Sequence, residues 1–117
     1  MCMGVTRNRE LIAVVAYHDY DPHARVMQMS AAASNKRWLC RNVLYQMYAY
    51  PFVTVDCQMV VKRVAPDNKD LLSQLDRLGF EFIRVPRLRG ENEDEILCTL
   101  TREKWEAGKY SKGKDNG

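Results

Sequence analysis

The sequence predicts an α/β domain: a mixed, mostly antiparallel sheet with a central strand–helix–strand crossover. Three observations lead there. Six runs rich in β-branched and aromatic residues are separated by turn signals. Two stretches instead repeat their apolar residues every three or four positions behind a capping residue. The order is strand, strand, strand, helix, strand, helix, strand, strand. It places single helices between strands only in the middle, and a helical crossover implies parallel neighbours.

The elements follow in order. MCMGVT (1–6) reads as a strand, with RNRE as a polar turn, and LIAVVAYHDY (11–20) as the second strand. Asp21-Pro22 breaks the chain, and ARVMQMSAAA (24–33) returns antiparallel. Ser34 or Asn35 then caps a helix in which Leu39, Val43, Met47 and Tyr50 recur, and Pro51 ends it. FVTVDCQMVVKRV (52–64) reads as a strand with Val53, Val55, Cys57, Met59 and Val61 alternating onto one face. In DNKDLLSQLDRLGF (67–80), Asp67 or Asn68 caps, Leu71, Leu72, Leu75 and Leu78 share a face, and Gly79 stops the helix. EFIRVPRLR is a strand whose Pro86 marks an edge or a bulge. GENEDE turns, and ILCTLTREKW (96–105) is the last strand. Residues 1–106 form one domain, and 107–117 a flexible polar tail.

At 117 residues the chain can build one core. Hydrophobic residues at 46% and charged residues at 28% describe a water-soluble domain, and the charged start argues against a secretory signal. The expected location is the cytoplasm. Cys2, Cys40, Cys57 and Cys98 have no paired metal-ligand spacing, so no metal is expected and buried free thiols are the simplest reading. A net charge of +3 suits an anionic ligand but does not by itself argue for nucleic acid, which stays a weaker third reading resting on two basic clusters.

Lys36, Arg37 and Arg41 gather at a helix start, where acids are the norm; the cluster is either a phosphate site or a solvated basic turn. Asn68 suits a cap and could also meet a ligand. Tyr17, His18, Asp19, Tyr20 and His23 cluster around one turn, and Gln28 lies on the next strand; Tyr17 and Gln28 are the candidates for proton transfer or for holding a water. Arg84, Arg87 and Arg89 read as guards of an edge strand.

These residues resemble a known family. DNKDLLSQLDRLGFEFIR, with Asn68 eleven residues before Gly79-Phe80, is similar to the fourth-helix signature of the GNAT N-acetyltransferases. RWLCRNVLYQMYAYPF resembles the preceding helix of small, often phage-encoded members, and DEILCTLTREKW their last strand. The resemblance covers about residues 3–106 and implies a GNAT-like sheet lacking the family's first strand and first two helices. It implies acetyl-CoA as co-substrate and a primary amine of a protein or small molecule as acceptor, in the host cytoplasm if the chain is phage-encoded. The backbone of Met27, Met29 and Ala31 would pair with the pantetheine arm, a backbone N–H near Met29 facing the thioester oxygen. Ser34, Asn35, Lys36, Arg37, Trp38 and Arg41 would hold the pyrophosphate, and Asn68 the arm. The departures are equally plain. The usual glycine-rich phosphate loop is replaced by ASNKRW, and Leu75 stands where a tyrosine protonates the thiolate. These departures support an alternative, a catalytically degenerate binding or phage structural protein of the same fold. An open sheet face implies a homodimer or another protein partner, and nothing implies a membrane.

Overall fold

The computed structural model describes residues 1–34 and 40–108. The chain enters as a hairpin of β1 (Cys2–Arg7) and β2 (Glu10–Asp21). Asn8 and Arg9, both at positive φ, make its two-residue turn. At the next turn the Asp21 carboxylate accepts from the backbone N–H groups of His23 (2.9 Å) and Ala24 (3.1 Å), leading into β3 (Val26–Ala33). After α1 (Arg41–Ala49) and a π-helical turn (Tyr50–Thr54), β4 (Met59–Val64) runs parallel to β3. Then come α2 (Lys69–Leu78), β5 (Glu81–Gly90), β6 (Glu93–Thr101) and α3 (Arg102–Ala107). The sheet order is β1-β2-β3-β4-β6-β5, with β3 and β4 the parallel neighbours at its centre. This is the mixed α/β architecture that the sequence predicts.

Residues paired across strands point to the same face, so the register divides the sheet cleanly. On one face lie Val15, Tyr17, Met27, Met29, Val60 and Leu100, buried beneath Leu44, Met47 and Tyr48 of α1 and Leu75 of α2. On the other lie Val14, Ala16, Val61, Leu97 and Ile83, half-buried or exposed, and they do not belong to that core.

The α2 boundaries follow the sequence closely. The Asn68 side chain accepts from the Leu71 N–H at 3.4 Å. Gly79 takes φ 100, and the N–H groups of Gly79 and Phe80 close back on the carbonyls of Asp76 and Leu75. Pro86 marks both an edge and a bulge: β5 ends the sheet, its pairing breaks between Val85 and Gly90, and Arg87 stands at φ 65.

Four expectations need correction. The strand expected over 52–64 begins only at Met59, because Pro51, which lacks an N–H, opens the π-helical turn rather than ending the helix. The carbonyls of Tyr50 and Pro51 accept from Val55 and Cys57 at 3.0 and 2.8 Å, and Phe52 is fully buried 5.3 Å from the Trp105 ring. The inward positions of the strand are therefore Val60, Lys62 and Val64, not Met59 and Val61. The last strand stops at Thr101, whose hydroxyl accepts from the Lys104 N–H at 3.2 Å and starts α3; Glu93 to Glu95, expected in a turn, lie in β6. The cap position of α1 is Cys40, not Ser34, and the other expected cap, Asn35, falls outside the described residues. Finally, only Cys57 and Cys98 are buried thiols, while Cys2 and Cys40 are exposed. The expected polar tail falls, from residue 109 on, outside the described residues.

Because Gly79 sits where L-residues are strained, Gly79→Val is expected to cost about 1–3 kcal/mol of stability. A Cβ there would also approach Lys104 Cγ at 3.4 Å. Urea unfolding checks this, and unchanged stability would contradict the left-handed geometry.

Candidate active-site cleft at the strand fork

The parallel pairing of β3 with β4 consists of Val26↔Met59, Met27↔Val60 and Gln28↔Val61, and then stops. Beyond it each strand remains paired on its outer side. β2 follows β3 to Ala33, and β6 follows β4 to Val64. The two halves of the sheet therefore diverge from Met29 and Lys62 onward, leaving a wedge between them. Ser30, Ala31 and Ala33 keep the β3 side of this wedge low, while Leu44 and Met47 of α1 and Leu71 and Leu75 of α2 roof it. The result is a largely apolar cleft of about 240 Å³.

One lining residue contradicts its surroundings. Lys62 is only 6% exposed, and no hydrogen bond or ion pair reaches its ammonium among the described residues. Burial pushes its pKa down to about 8, against a smaller opposing effect from Cys98, its cross-strand partner. The neighbouring cation is provided for. Arg63 donates to buried Glu95 at 2.8 Å, and Arg89 donates to the other carboxylate oxygen at 2.8 Å. Desolvation raises the Glu95 pKa, but the hydrogen bonds and charges of the two guanidiniums outweigh it and leave the carboxyl below its usual range.

The sequence-predicted site residues separate into groups. Met29 and Ala31 line the cleft, and Met27 lies buried just before the fork, opposite Val60. Ser34 lies at the far end of β3, its N–H and hydroxyl both directed to the Ile12 carbonyl at 2.9 and 3.4 Å. Asn35, Lys36, Arg37 and Trp38 fall outside the described residues. Arg41 is the first residue of α1, which begins without a side-chain cap and without an acid in its first turn. Asn68 caps α2 and does not line the cleft. Tyr17 is buried and donates its hydroxyl to the Met47 carbonyl at 2.6 Å; burial first, then Tyr50, raises its pKa well above the ordinary value. Gln28 pairs with His18 and Val61 on the face away from the helices. The fork thus gathers Met29 and Ala31, but not Tyr17, Gln28, Ser34 or Asn68. Lys62 and Gln74, which the sequence reading passed over, also line the cleft. The available signal was a lysine between Val60 and Val64 in a strand flanked on both sides.

No group of His, Cys, Asp and Glu among the described residues could hold a metal ion. No helix among them is long and apolar enough to cross a membrane.

An ammonium drawn largely out of water without an ion-pair partner costs stability. The folded chain holds the Lys62 proton less tightly than the unfolded one, so this cost is complete below pH 8 and fades as pH rises toward 10.5. Lys62→Met should therefore stabilise the protein at pH 7 by about 2–3 kcal/mol, with the gain shrinking above pH 8. Denaturant unfolding at pH 7 and pH 10 checks both the sign and the trend.

No protein-family model matches the sequence, and no curated protein matches it. Solved structures match its fold. A variant of the spermidine N-acetyltransferase SpeG from Vibrio cholerae superposes with TM-score 0.78 at 14% identity, covering 89% of this chain and 66% of that one. The dodecameric spermidine N-acetyltransferase from the same organism gives 0.73 at 14%, covering 83% and 61%. A probable acetyltransferase gives 0.71 at 15%, covering 84% and 59%. This chain spans about two thirds or less of the length of these proteins. Its fold, including the mixed sheet and both crossover helices, is the fold of the GNAT acetyltransferases.

Proposed function

We propose that the chain is an acetyl-CoA-dependent N-acetyltransferase that moves an acetyl group to a primary amine of a protein or small molecule. The fork between β3 and β4 carries this reading. Past Gln28 no described strand pairs with the β4-facing side of β3, so backbone groups of Met29 and Ala31 are available to an extended ligand. The pantetheine arm has amides to pair with such an edge, and the apolar roof suits its methylenes. The thioester supplies the activated acyl group. An N–H near Met29 would stabilise the oxyanion formed when the amine attacks.

The diphosphate belongs at the start of α1. No side chain caps it there, and no acid in its first turn opposes an anion. Lys36, Arg37 and Arg41 add positive charge close by in sequence. Calorimetry with acetyl-CoA and coenzyme A tests the reading: both should bind, and silence at high micromolar concentration overturns it. Replacing Arg37 and Arg41 together by Ala should weaken binding at least tenfold, since charged hydrogen bonds contribute about 1.5–3 kcal/mol each. Unchanged affinity in the folded double variant would remove the phosphate assignment.

The sheet face carrying half-buried Val14, Ala16, Val61 and Leu97 and exposed Ile83 has no described helix over it, and this motivates a further part of the reading. We propose that a second copy of the chain covers it and completes the acceptor side. Such an interface should bury about 1,200–2,000 Å² in total. Light scattering at low micromolar concentration should report a dimer. A monomer that acetylates small amines would overturn this.

A further inference from the structure

We propose that Lys62 is a catalytic residue of the cleft, whose ammonium group holds the sulfur of the departing thiolate at the strand fork and hands it a proton. The inference deepens the acetyl-CoA reading and rests on it.

It begins from an unmet need. Lysine is seldom buried without a partner, because an ammonium loses its hydration and must recover it elsewhere. Lys62 recovers little inside the protein: it is 6% exposed, its ammonium opens only into the cleft, and among the described residues no carboxylate lines that cleft. The buried carboxylate nearest in sequence pairing, Glu95, is already shared between Arg63 and Arg89. Strand geometry gives Lys62 no structural task either, since its neighbours at inward positions are Val60 and Val64. Such a residue destabilises the fold, and its return must come from a ligand.

Position then narrows the ligand. The last parallel pair is Gln28↔Val61, so Met29 and Lys62 are the first residues on either lip of the fork. A group lying against the Met29 backbone therefore lies between that backbone and Lys62. The surrounding Met47, Leu71 and Leu75 suit a narrow, uncharged arm better than a phosphate, which would need several donors. An acyl thioester on such an arm is neutral when it enters and becomes anionic at sulfur when the acyl group leaves. Arg63 also lines the cleft but is engaged by Glu95, so Lys62 is the cation there with no carboxylate partner, and it complements that one change of charge.

The step balances. The acceptor nitrogen bonds to the carbonyl carbon, the carbon–sulfur bond breaks, and sulfur keeps its electron pair. Lys62 Nζ gives a proton to sulfur and becomes a neutral amine. The acceptor nitrogen releases its proton to water, and water reprotonates Lys62. A pKa near 8 suits this exchange, leaving the group mostly charged at neutral pH yet ready to give its proton up. Of the ionisable groups around it, Arg63 stays charged and engaged by Glu95, while Cys98 and Tyr48 remain neutral over that range. Burial pushes the Cys98 thiol up to about 11, and it raises the Tyr48 hydroxyl, on α1, well above its ordinary value. From α2 the cleft receives Gln74 and leucines.

The test uses coenzyme A itself. Its thiol is titrated bound to the full chain by ultraviolet thiolate absorbance, as a difference against coenzyme-free protein, with binding verified by calorimetry. In the wild type the bound thiol should ionise at least one pH unit lower than free coenzyme A. In Lys62→Met, which retains the fold and still binds the coenzyme, the shift should vanish. A bound thiol that ionises as it does free in solution overturns the proposal, as does an equal shift in Lys62→Met. Failure of the wild type to bind coenzyme A overturns the acetyl-CoA reading as well, so the two failures are distinguishable.

Discussion

The brevity of the β3–β4 pairing governs the rest of the molecule. Two parallel strands at the centre of a sheet would ordinarily hydrogen-bond along their shared length. Here they hold three pairs and part. Each is secured on its outer side by an antiparallel neighbour, so the sheet behaves as two twisted ribbons joined at one end. The helices that follow β3 and β4 pack on the same face, bringing Leu44 and Met47 from one and Leu71 and Leu75 from the other over the gap. A fully zipped pair would leave these roof residues nothing to cover. Helix packing and cleft are two results of a single topological constraint.

The contrast between two buried charges shows how differently the fold treats support and chemistry. Glu95 is 2% exposed, yet two guanidiniums meet its two oxygens, and the trio ties β4, β5 and β6 together. Each member satisfies the others, as a buried ionic group must if it is not to weaken the fold. Lys62, one position before Arg63 on the same strand, receives no such care. Alternation sends the two side chains to opposite faces, and although both residues line the cleft, only Arg63 meets a carboxylate.

Much of this was legible in the chain. Asn68 and Gly79 bound α2 because a side-chain cap and a left-handed glycine are local requirements that adjacent residues satisfy. Asn8, Asp21 and Pro86 likewise mark turns and a bulge through their own short-range geometry. The failures arose where distant packing decides. FVTVDC alternates like a strand, but Phe52 is drawn beneath Trp105, more than fifty residues away, and the backbone coils to deliver it. TREKW continued a β pattern until Thr101 offered a cap that its own strand did not need. Lys62 was hidden by the same error: with the strand started too early, the wrong parity faced inward. In the cleft, Met29 and Ala31 could be anticipated from backbone roles that tolerate any side chain. Lys62 could not, since its meaning comes from burial.

The irregular outer strand has a consequence for how copies of this protein can meet. Among the described residues β5 has one side without a sheet neighbour, a geometry that in a flat strand invites lateral growth into a fibre. Pro86 offers no donor, and Arg87 turns the backbone left-handed in the middle of that rim. A second sheet arriving there would find its hydrogen-bond ladder interrupted. Lateral growth through that rim is disfavoured. A contact made instead between two sheet faces would be self-limiting, because once paired neither face is open to a third molecule.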